Sequence, residues 1–296
     1  MNNLKVGVIG IPGKWSTEVL ADRLEEMTGF RLVIDMAEVT LDLASKHLMF
    51  RGINLCELDG LIVKKISQAY SPSMLDRIEL LRVAEQAGVR VFSRPESILR
   101  LVDRLSCTVT LRNHDIPMPK TCVTESLDAA VSAIEEYGEV VLKPLFSTKA
   151  RGMTLLNAKQ PRDELRSQLS LFQQDNPMLY LQQKCDLHGQ DLGIVFLGGE
   201  YIGTYARVSQ SDSWNTTILA GGEYKPFTPD DEVIALAKKA QQPFALDFTT
   251  VDVAFTDDGP IVFEVSAFGG FKGALDGCGI DAAKLYSQYI IDSFAG

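Results

Sequence analysis

Four side chains in this sequence have types and spacing that could act on a phosphorylated compound: Lys143, Asp252, Glu264 and Ser266. Lys143 ends the apolar run Val140-Val141-Leu142 and precedes Pro144-Leu145, which puts an ammonium at the tip of a buried strand. Asp252 and Glu264 fall in two alternating runs, Val251 to Phe255 and Ile261 to Val265, separated by Thr256-Asp257-Asp258-Gly259-Pro260. Asp, Gly and Pro in that order are turn chemistry, so the two runs form a hairpin. Folded symmetrically about Asp258, the hairpin sets Val251, Val253 and Phe255 on one apolar face with Ile261, Phe263 and Val265. Asp252 then lies opposite Glu264 on the other face, with Ser266 two residues on. Facing carboxylates repel. They fit two states: a hard divalent ion, Mg²⁺ or Mn²⁺, bridging to phosphate oxygens, or two solvated acids on an exposed sheet face.

The loop after Lys143, Phe146-Ser147-Thr148-Lys149-Ala150-Arg151-Gly152, adds two cations and a run of amides able to hold polyphosphate oxygens. A solvated strand-end lysine is the plainer alternative. A second glycine turn, Gly10-Ile11-Pro12-Gly13-Lys14-Trp15-Ser16, follows the apolar strand Lys5 to Ile9. It lacks the Walker spacing, because its first glycine is out of step and Trp15 follows the lysine. It reads as a tight turn in a βα unit.

The elements that must carry these residues divide the 296-residue chain, which is too long for one ordinary core. Residues 1–95 alternate short apolar strands (near residues 5–9, 31–35, 60–64 and 89–92) with helices from about Thr17 and over Leu75 to Ala87, an open α/β unit. A second unit, 96–178, starts with a helical pattern over Ile98 to Asn113, broken by Pro117 and Pro119. It continues with a helix capped by Ser126 and stopped by Gly138, strands at Val140 to Leu145 and Met153 to Asn157, and a helix from about Pro161. A third unit, 179–296, opens with a strand over Leu179 to Gln183. Strands Asp191 to Leu197 and Glu200 to Ala206 follow, joined by Gly198-Gly199. A polar loop from Val208 to Glu223, a helix over Asp231 to Gln241, the acidic hairpin and a last helix capped by Asp281 complete an α+β pattern.

With 46% hydrophobic and 23% charged residues, the composition is that of a soluble globular protein. A net charge of -10 argues against a nucleic-acid or anionic-membrane surface. Five dispersed cysteines without a C-x-x-C, and three histidines, point to neither zinc nor disulfides and to a reducing, cytoplasmic setting. The start of the chain, Met1 to Lys5, is followed by no long apolar segment, so neither signal peptide nor membrane span is expected.

Leu142-Lys143-Pro144, a loop, Val251-Asp252 and Glu264-Val265-Ser266 stand in the order of the ATP-grasp superfamily. Over about residues 95 to 290 the chain resembles its RimK-like ligase branch. There the lysine stands in Val-Leu-Lys-Pro and the acids in Val-Asp and Glu-Val-Asn. The resemblance implies an open α/β unit followed by two α+β subdomains that enclose ATP, and an ATP-dependent ligase that joins a carboxylate to an amine.

It further implies, by position, that Lys143 and Arg104 meet the nucleotide phosphates and that Ser147, Thr148, Lys149, Arg151 and Gly152 cover them. Gln182, Gln183, Lys184 and Cys185 border adenine, with Asp191 a further nucleotide contact. Asp252, Glu264 and Ser266 hold Mg²⁺ or Mn²⁺. Arg207 meets the acyl phosphate, and Lys272 an anionic substrate; for both, a solvated charge is the alternative. The chain departs from the branch at Ser266, where the family has Asn, and at Ser147 and Ala150, where its loop has Gly. Asp191-Leu192-Gly193 replaces Asp-Ile-Arg, and Thr217-Ile218-Leu219-Ala220-Gly221-Gly222 replaces Asn-Leu-His-Arg-Gly-Gly. The nucleotide half is largely kept and the substrate half is not.

Two rivals to the ligase follow from those departures: a kinase that phosphorylates a hydroxyl, and an ATP-binding regulator without chemistry. The loop and the tail of the hairpin also resemble the ATP-grasp member of the GAK gene system. That likeness implies a kinase-like and a phospholactate-transferase-like protein as functional partners. Homodimers are a habit of the family.

Overall fold

The computed structural model describes residues 4–210, 216–218 and 221–295. Met1 to Asn3, and Leu219 and Ala220 of the substrate-side run, lie outside them, as do residues 211–215 of the polar loop.

The chain begins with β1 (Val6–Ile9), α1 (Trp15–Thr28), β2 (Val33–Ile34), β3 (Thr40–Asp42), β4 (His47–Phe50), β5 (Ile53–Asn54), β6 (Gly60–Val63), α2 (Ser73–Gln86) and β7 (Arg90–Phe92). β2, β1, β6 and β7 pair in that order, all parallel, in a four-stranded sheet. Wholly buried runs such as Val6–Ile9 are what a parallel sheet covered on both faces requires. β3, β4 and β5 form a small antiparallel sheet that sequence periodicity did not reveal, since strands of two to four residues are too short to show a period.

α3 (Pro95–Val102) and α4 (Arg104–Asn113) replace the one helix expected over Ile98 to Asn113. The break falls at Asp103, whose extended backbone caps α4 and whose carboxylate accepts the Leu105 amide at 2.9 Å. Then come β8 (Thr121–Thr124), α5 (Leu127–Tyr137), β9 (Glu139–Lys143), β10 (Thr154–Asn157), α6 (Arg162–Asp175) and β11 (Leu179–Gln183). These strands pair in the order β10, β9, β11, β8. β11, placed by its sequence position at the start of the third unit, is therefore an inner strand of this second sheet. Its partners are distant in sequence and local pattern does not name them.

A third, five-stranded sheet has the order β14 (Glu223–Pro226), β13 (Glu200–Val208), β12 (Gln190–Leu197), β15 (Phe248–Thr256), β16 (Gly259–Ser266), antiparallel throughout. Gly198 and Gly199 both take positive φ, 58° and 81°, which the tight turn between β12 and β13 demands. α7 (Asp231–Gln241) packs on one face of this sheet and α8 (Phe271–Cys278) on the other. α9 (Ala282–Ala295) is capped by Asp281, whose carboxylate accepts the Lys284 amide at 3.0 Å. It returns to the first unit, where Asp281 meets Arg23 at 2.9 Å and Phe294 packs edge-on against Phe92. A common apolar core joins β1, β6 and α1 to α8 and α9, so the carboxyl-terminal helices lock the first sheet onto the third. No described helix is long and apolar enough to cross a membrane.

The hairpin departs from the symmetric fold at one point. Asp252 does pair with Glu264, but the register shifts there, and Val253 pairs with Val262 rather than with Phe263. This β-bulge leaves Phe263 unpaired and turns it out of the apolar face. Val251, Val253, Val262 and Val265 are fully buried in the core, while Phe263 and Ile261 are only half-buried.

Candidate active site

Three strands of the third sheet carry charge onto one face. Asp191 pairs with Arg207 across β12 and β13, and Asp252 pairs with Gly193 across β15 and β12. The Arg207 guanidinium donates to Asp191 through Nε, 3.1 Å from each carboxylate oxygen, and its terminal nitrogen also bonds Asp191 and stands 3.0 Å from Asp252. The Thr216 hydroxyl donates to Asp191. Burial opposes the charge of Arg207, but the attraction of Asp252 and Asp191 outweighs it, and the guanidinium is held protonated well above its ordinary value. Burial pushes the Asp252 carboxyl above the usual carboxylate range; repulsion from Asp191 and Glu264 adds to the rise and the pull of Arg207 opposes it.

The other side of the site comes from the second sheet. Lys143, 8% exposed at the end of β9, donates to the Gln182 side-chain carbonyl on β11 and lies 5.5 Å from the centre of the Phe263 ring. The bulge in β16 is what aims that ring at the lysine. Burial lowers the Lys143 ammonium to about 7, with Arg104 adding to the shift and Glu264 opposing it. Arg104 opens α4 because the helix restarts at Asp103. Its guanidinium donates to the Pro144 carbonyl at 3.3 Å and to the Ser147 hydroxyl at 3.2 Å, and stands 3.5 Å from Glu264. Each acid of the hairpin is thus met by its own arginine, Asp252 by Arg207 and Glu264 by Arg104.

The loop from Ser147 to Gly152 is tied at Ser147 to Arg104, and Thr148 lies beside the hydroxyl of Tyr70 in the first unit. Lys149 and Ala150 take left-handed φ of 59° and 57°, a conformation that disfavours side chains and that glycine adopts freely. At the turn from β11 toward β12, Gln182 is fully buried and bonds Lys143, Thr121 and Tyr180. The amides of Gln183 and Lys184 are committed to Lys120 and Glu139 carbonyls, and the Lys184 ammonium to Glu139. The Cys185 thiol lies against the Gln183 carbonyl. Lys272 sits apart from the acids, paired with Asp276 one turn along α8 at 3.1 Å and 5.8 Å from the Trp15 ring centre.

Residues that the sequence did not single out complete the picture. Phe263 was expected in the core, and nothing local signals a bulge. Tyr205 fills the space over Gly193: a Cβ at Gly193 would lie 2.3 Å from its ring, and one at Gly273 of α8 2.4 Å. Where the branch has arginine at the third position of Asp-Ile-Arg, this chain has glycine with a buried tyrosine packed upon it.

Two facing carboxylates, one of them, Asp252, raised chiefly by burial, and a hydroxyl two residues on form a donor set suited to a hard divalent ion that takes its remaining ligands from phosphate. Among the described residues no group of three or more His, Cys, Asp or Glu is placed to hold a metal by itself.

An open parallel sheet followed by two α+β sheets, with lysine and arginine on one wall and paired acids on the other, is the ATP-grasp architecture. A RimK-like ATP-grasp domain matches residues 102–290, and the chain belongs to that family. Its class is that of an ATP-grasp ligase joining a carboxylate to an amine. It is 24% identical to the tetrahydromethanopterin:alpha-L-glutamate ligase of Methanosarcina acetivorans over 97% of this chain and 98% of the relative. It is 26% identical to N-acetylaspartylglutamate synthase A of Mus musculus over 90% of this chain and 70% of that one. The crystal structure of a RimK domain ATP-grasp protein from Sphaerobacter thermophilus superposes with a TM-score of 0.74 at 21% identity, covering 96% of this chain and 98% of that one.

Proposed function

We propose that this chain uses MgATP to convert a substrate carboxylate into an acyl phosphate, releasing ADP, and then passes the acyl group to an amine with release of phosphate. The observation that carries the assignment of residues is the pairing of Asp252 with Glu264 across β15 and β16, facing Lys143 and Arg104. In this reading Asp252 and Glu264 hold the metal, with Ser266 as the third donor in the place of the family's asparagine. Bound there, the ion neutralises phosphate charge. Lys143, with its ammonium fixed by Gln182, and Arg104 are cations set in place before ATP arrives, so no reorganisation is required during transfer. Gln182 to Cys185 border the base, and the half-buried Phe263 supplies an apolar surface beside them.

Arg207 lies next to the metal acid rather than in open solvent, where its charge can meet the acyl phosphate as negative charge builds. Asp191 acts through Arg207 by holding its fork, in place of the direct nucleotide contact expected of it. The loop from Ser147 to Gly152 closes over the phosphates and keeps water from the acyl phosphate. No side-chain nucleophile is needed. The names of two relatives, a tetrahydromethanopterin:alpha-L-glutamate ligase and an N-acetylaspartylglutamate synthase, support an amino acid as the amine.

The test is substrate-dependent ADP release from MgATP with a metabolite extract, followed together with new masses. Glu264→Gln should abolish release while the protein stays folded; unchanged turnover would sink the metal assignment. Hydroxylamine should trap the activated acid as a hydroxamate. Its absence alongside steady ADP release would point instead to a hydroxyl acceptor.

A further inference from the structure

The glycine turn from Gly10 to Lys14, which fails as a phosphate loop, has a place in the fold that the nucleotide site does not use. β1 and β6 are neighbours in the first sheet, with Ile9 opposite Val63, and the amides of Lys64 and Lys65 both donate to the Ile9 carbonyl, at 2.9 and 3.1 Å. The turn after β1 and the dipeptide after β6 therefore leave the carboxyl edge of the sheet side by side. In open parallel sheets ligands sit at that edge, where neighbouring strands send their connections in different directions.

Lys14 ends the turn at the cap position of α1, exposed and without a capping bond. Lys65 is half-buried, with its ammonium 5.7 Å from the centre of the Tyr70 ring. Thr148 lies beside the Tyr70 hydroxyl, with Lys149 and Arg151 following it in the loop. Burial lowers the Lys65 ammonium, and the charges that act on it are Lys149, Arg151 and Lys14, all positive. None of these four cations makes an ion pair among the described residues.

In the ligase reading Arg104, Lys143, Lys149 and Arg151 are taken up by the nucleotide phosphates, while Arg207 is held by Asp191 and Asp252. Lys14 and Lys65 then remain, on the wall that belongs to the first unit. Like charges gathered at a partly desolvated edge are unfavourable without an anion between them.

We propose that Lys14 and Lys65 bind a second oxyanionic group, carboxylate or phosphate, of the acid whose carboxylate is activated, so that the acyl substrate carries at least two negative groups. This rests on the ligase reading above. It places the acid between the carboxyl edge of the first sheet and the phosphate-covering loop, with one end toward Arg207 and the other held by the two lysines.

The test uses the full chain saturated with Mg²⁺ and the non-hydrolysable nucleotide AMPPNP, so that the phosphate positions are filled. Calorimetric titration with succinate, inorganic phosphate and acetate compares two dianions with a monoanion. At least one dianion should bind about tenfold or more tighter than acetate, and whichever it is distinguishes a carboxylate from a phosphate. Lys65→Ala and Lys14→Ala should each erase that preference with AMPPNP affinity held to within about twofold. Lys65→Arg should retain it, and thermal melting checks that each variant is folded. Equal binding of all three anions, or a loss of AMPPNP affinity in Lys65→Ala as large as the loss for dianions, overturns the proposal. Failure of the ligase reading shows separately, as absence of a hydroxamate with hydroxylamine alongside steady ADP release; the anion titrations then stand as a test of the anion site alone.

Discussion

The Arg207 guanidinium lies 3.0 Å from Asp252 while its Nε donates to both carboxylate oxygens of Asp191. One arginine thus divides its charge between a supporting acid and an acid of the proposed metal site. Asp191→Asn keeps the shape but removes the charge of the supporting partner. Losing one side of a buried pair costs on the order of 3 kcal/mol, read as a lower midpoint in urea. Arg207 should then turn fully to Asp252 and compete with the metal, so the Mg²⁺ concentration for half-maximal ADP release should rise. An unchanged Mg²⁺ dependence would show that Arg207 and the metal do not share Asp252.

Ser266 stands where the family has asparagine, and Thr250 lies opposite it across the strand pair. Its main-chain carbonyl is taken by the Thr249 hydroxyl at 2.8 Å. Ser266→Asn should lower the Mg²⁺ requirement, since an amide oxygen reaches further and ligates better than a hydroxyl. Ser266→Ala should raise it. Kinetic titration of Mg²⁺ at saturating ATP reads both, and no movement in either variant removes Ser266 from the metal site.

Lys64 is a buried ammonium that donates to the Gly269 carbonyl and lies 4.0 Å from the Phe271 ring centre, joining the first sheet to the start of α8. Burial lowers it to about 7, with Lys65 adding to the shift. An unfolded lysine keeps its proton to about 10.4. Between these values the unfolded chain binds more protons than the native one, so this group makes stability rise with pH across that window. Below about 7 both states are protonated and the penalty is full. Lys64→Met should flatten the rise, which has a limiting slope of about 1.4 kcal/mol per pH unit. Unfolding free energies at pH 7, 8.5 and 10 for both proteins supply the check.

Gly193 has no room for a methyl group, because its Cβ would stand 2.3 Å from the Tyr205 ring. The ring is buried between the sheet and α8, packed edge-on against Tyr224 at 5.3 Å. Gly193→Ala should therefore destabilise by about 1 to 3 kcal/mol, and turnover should fall because Asp252 is its cross-strand neighbour. A thermal midpoint equal to that of the unaltered protein would show that Tyr205 moves aside freely.

Turns, caps and strand types were legible because their causes are local. Gly198-Gly199, the Asp281 cap and the pairing of Asp252 with Glu264 each depend on residues within a few positions or on a two-residue turn. The bulge at Phe263 was not, since alternation alone predicts an unbroken period, and only the core and the distant Pro117 carbonyl, which accepts the Val262 amide at 2.8 Å, tell the strand where to slip. Nor was the division at Asp103, which turned one apparent helix into two and brought Arg104 to the head of the second.

By itself the sequence determined the kinds of chemistry available: which residues carry charge, in what order, and on which local elements, because hydrogen-bonding patterns and side-chain alternation act over short range. The tertiary structure decided the partners. Arg207 with Asp252, Arg104 with Glu264, Lys143 with Phe263, and Tyr70 with Thr148 are separated by 45 to 160 residues. Such contacts are chosen by how three sheets pack and how α9 returns to the first of them, a matter of volume and burial over the whole chain that no local pattern contains.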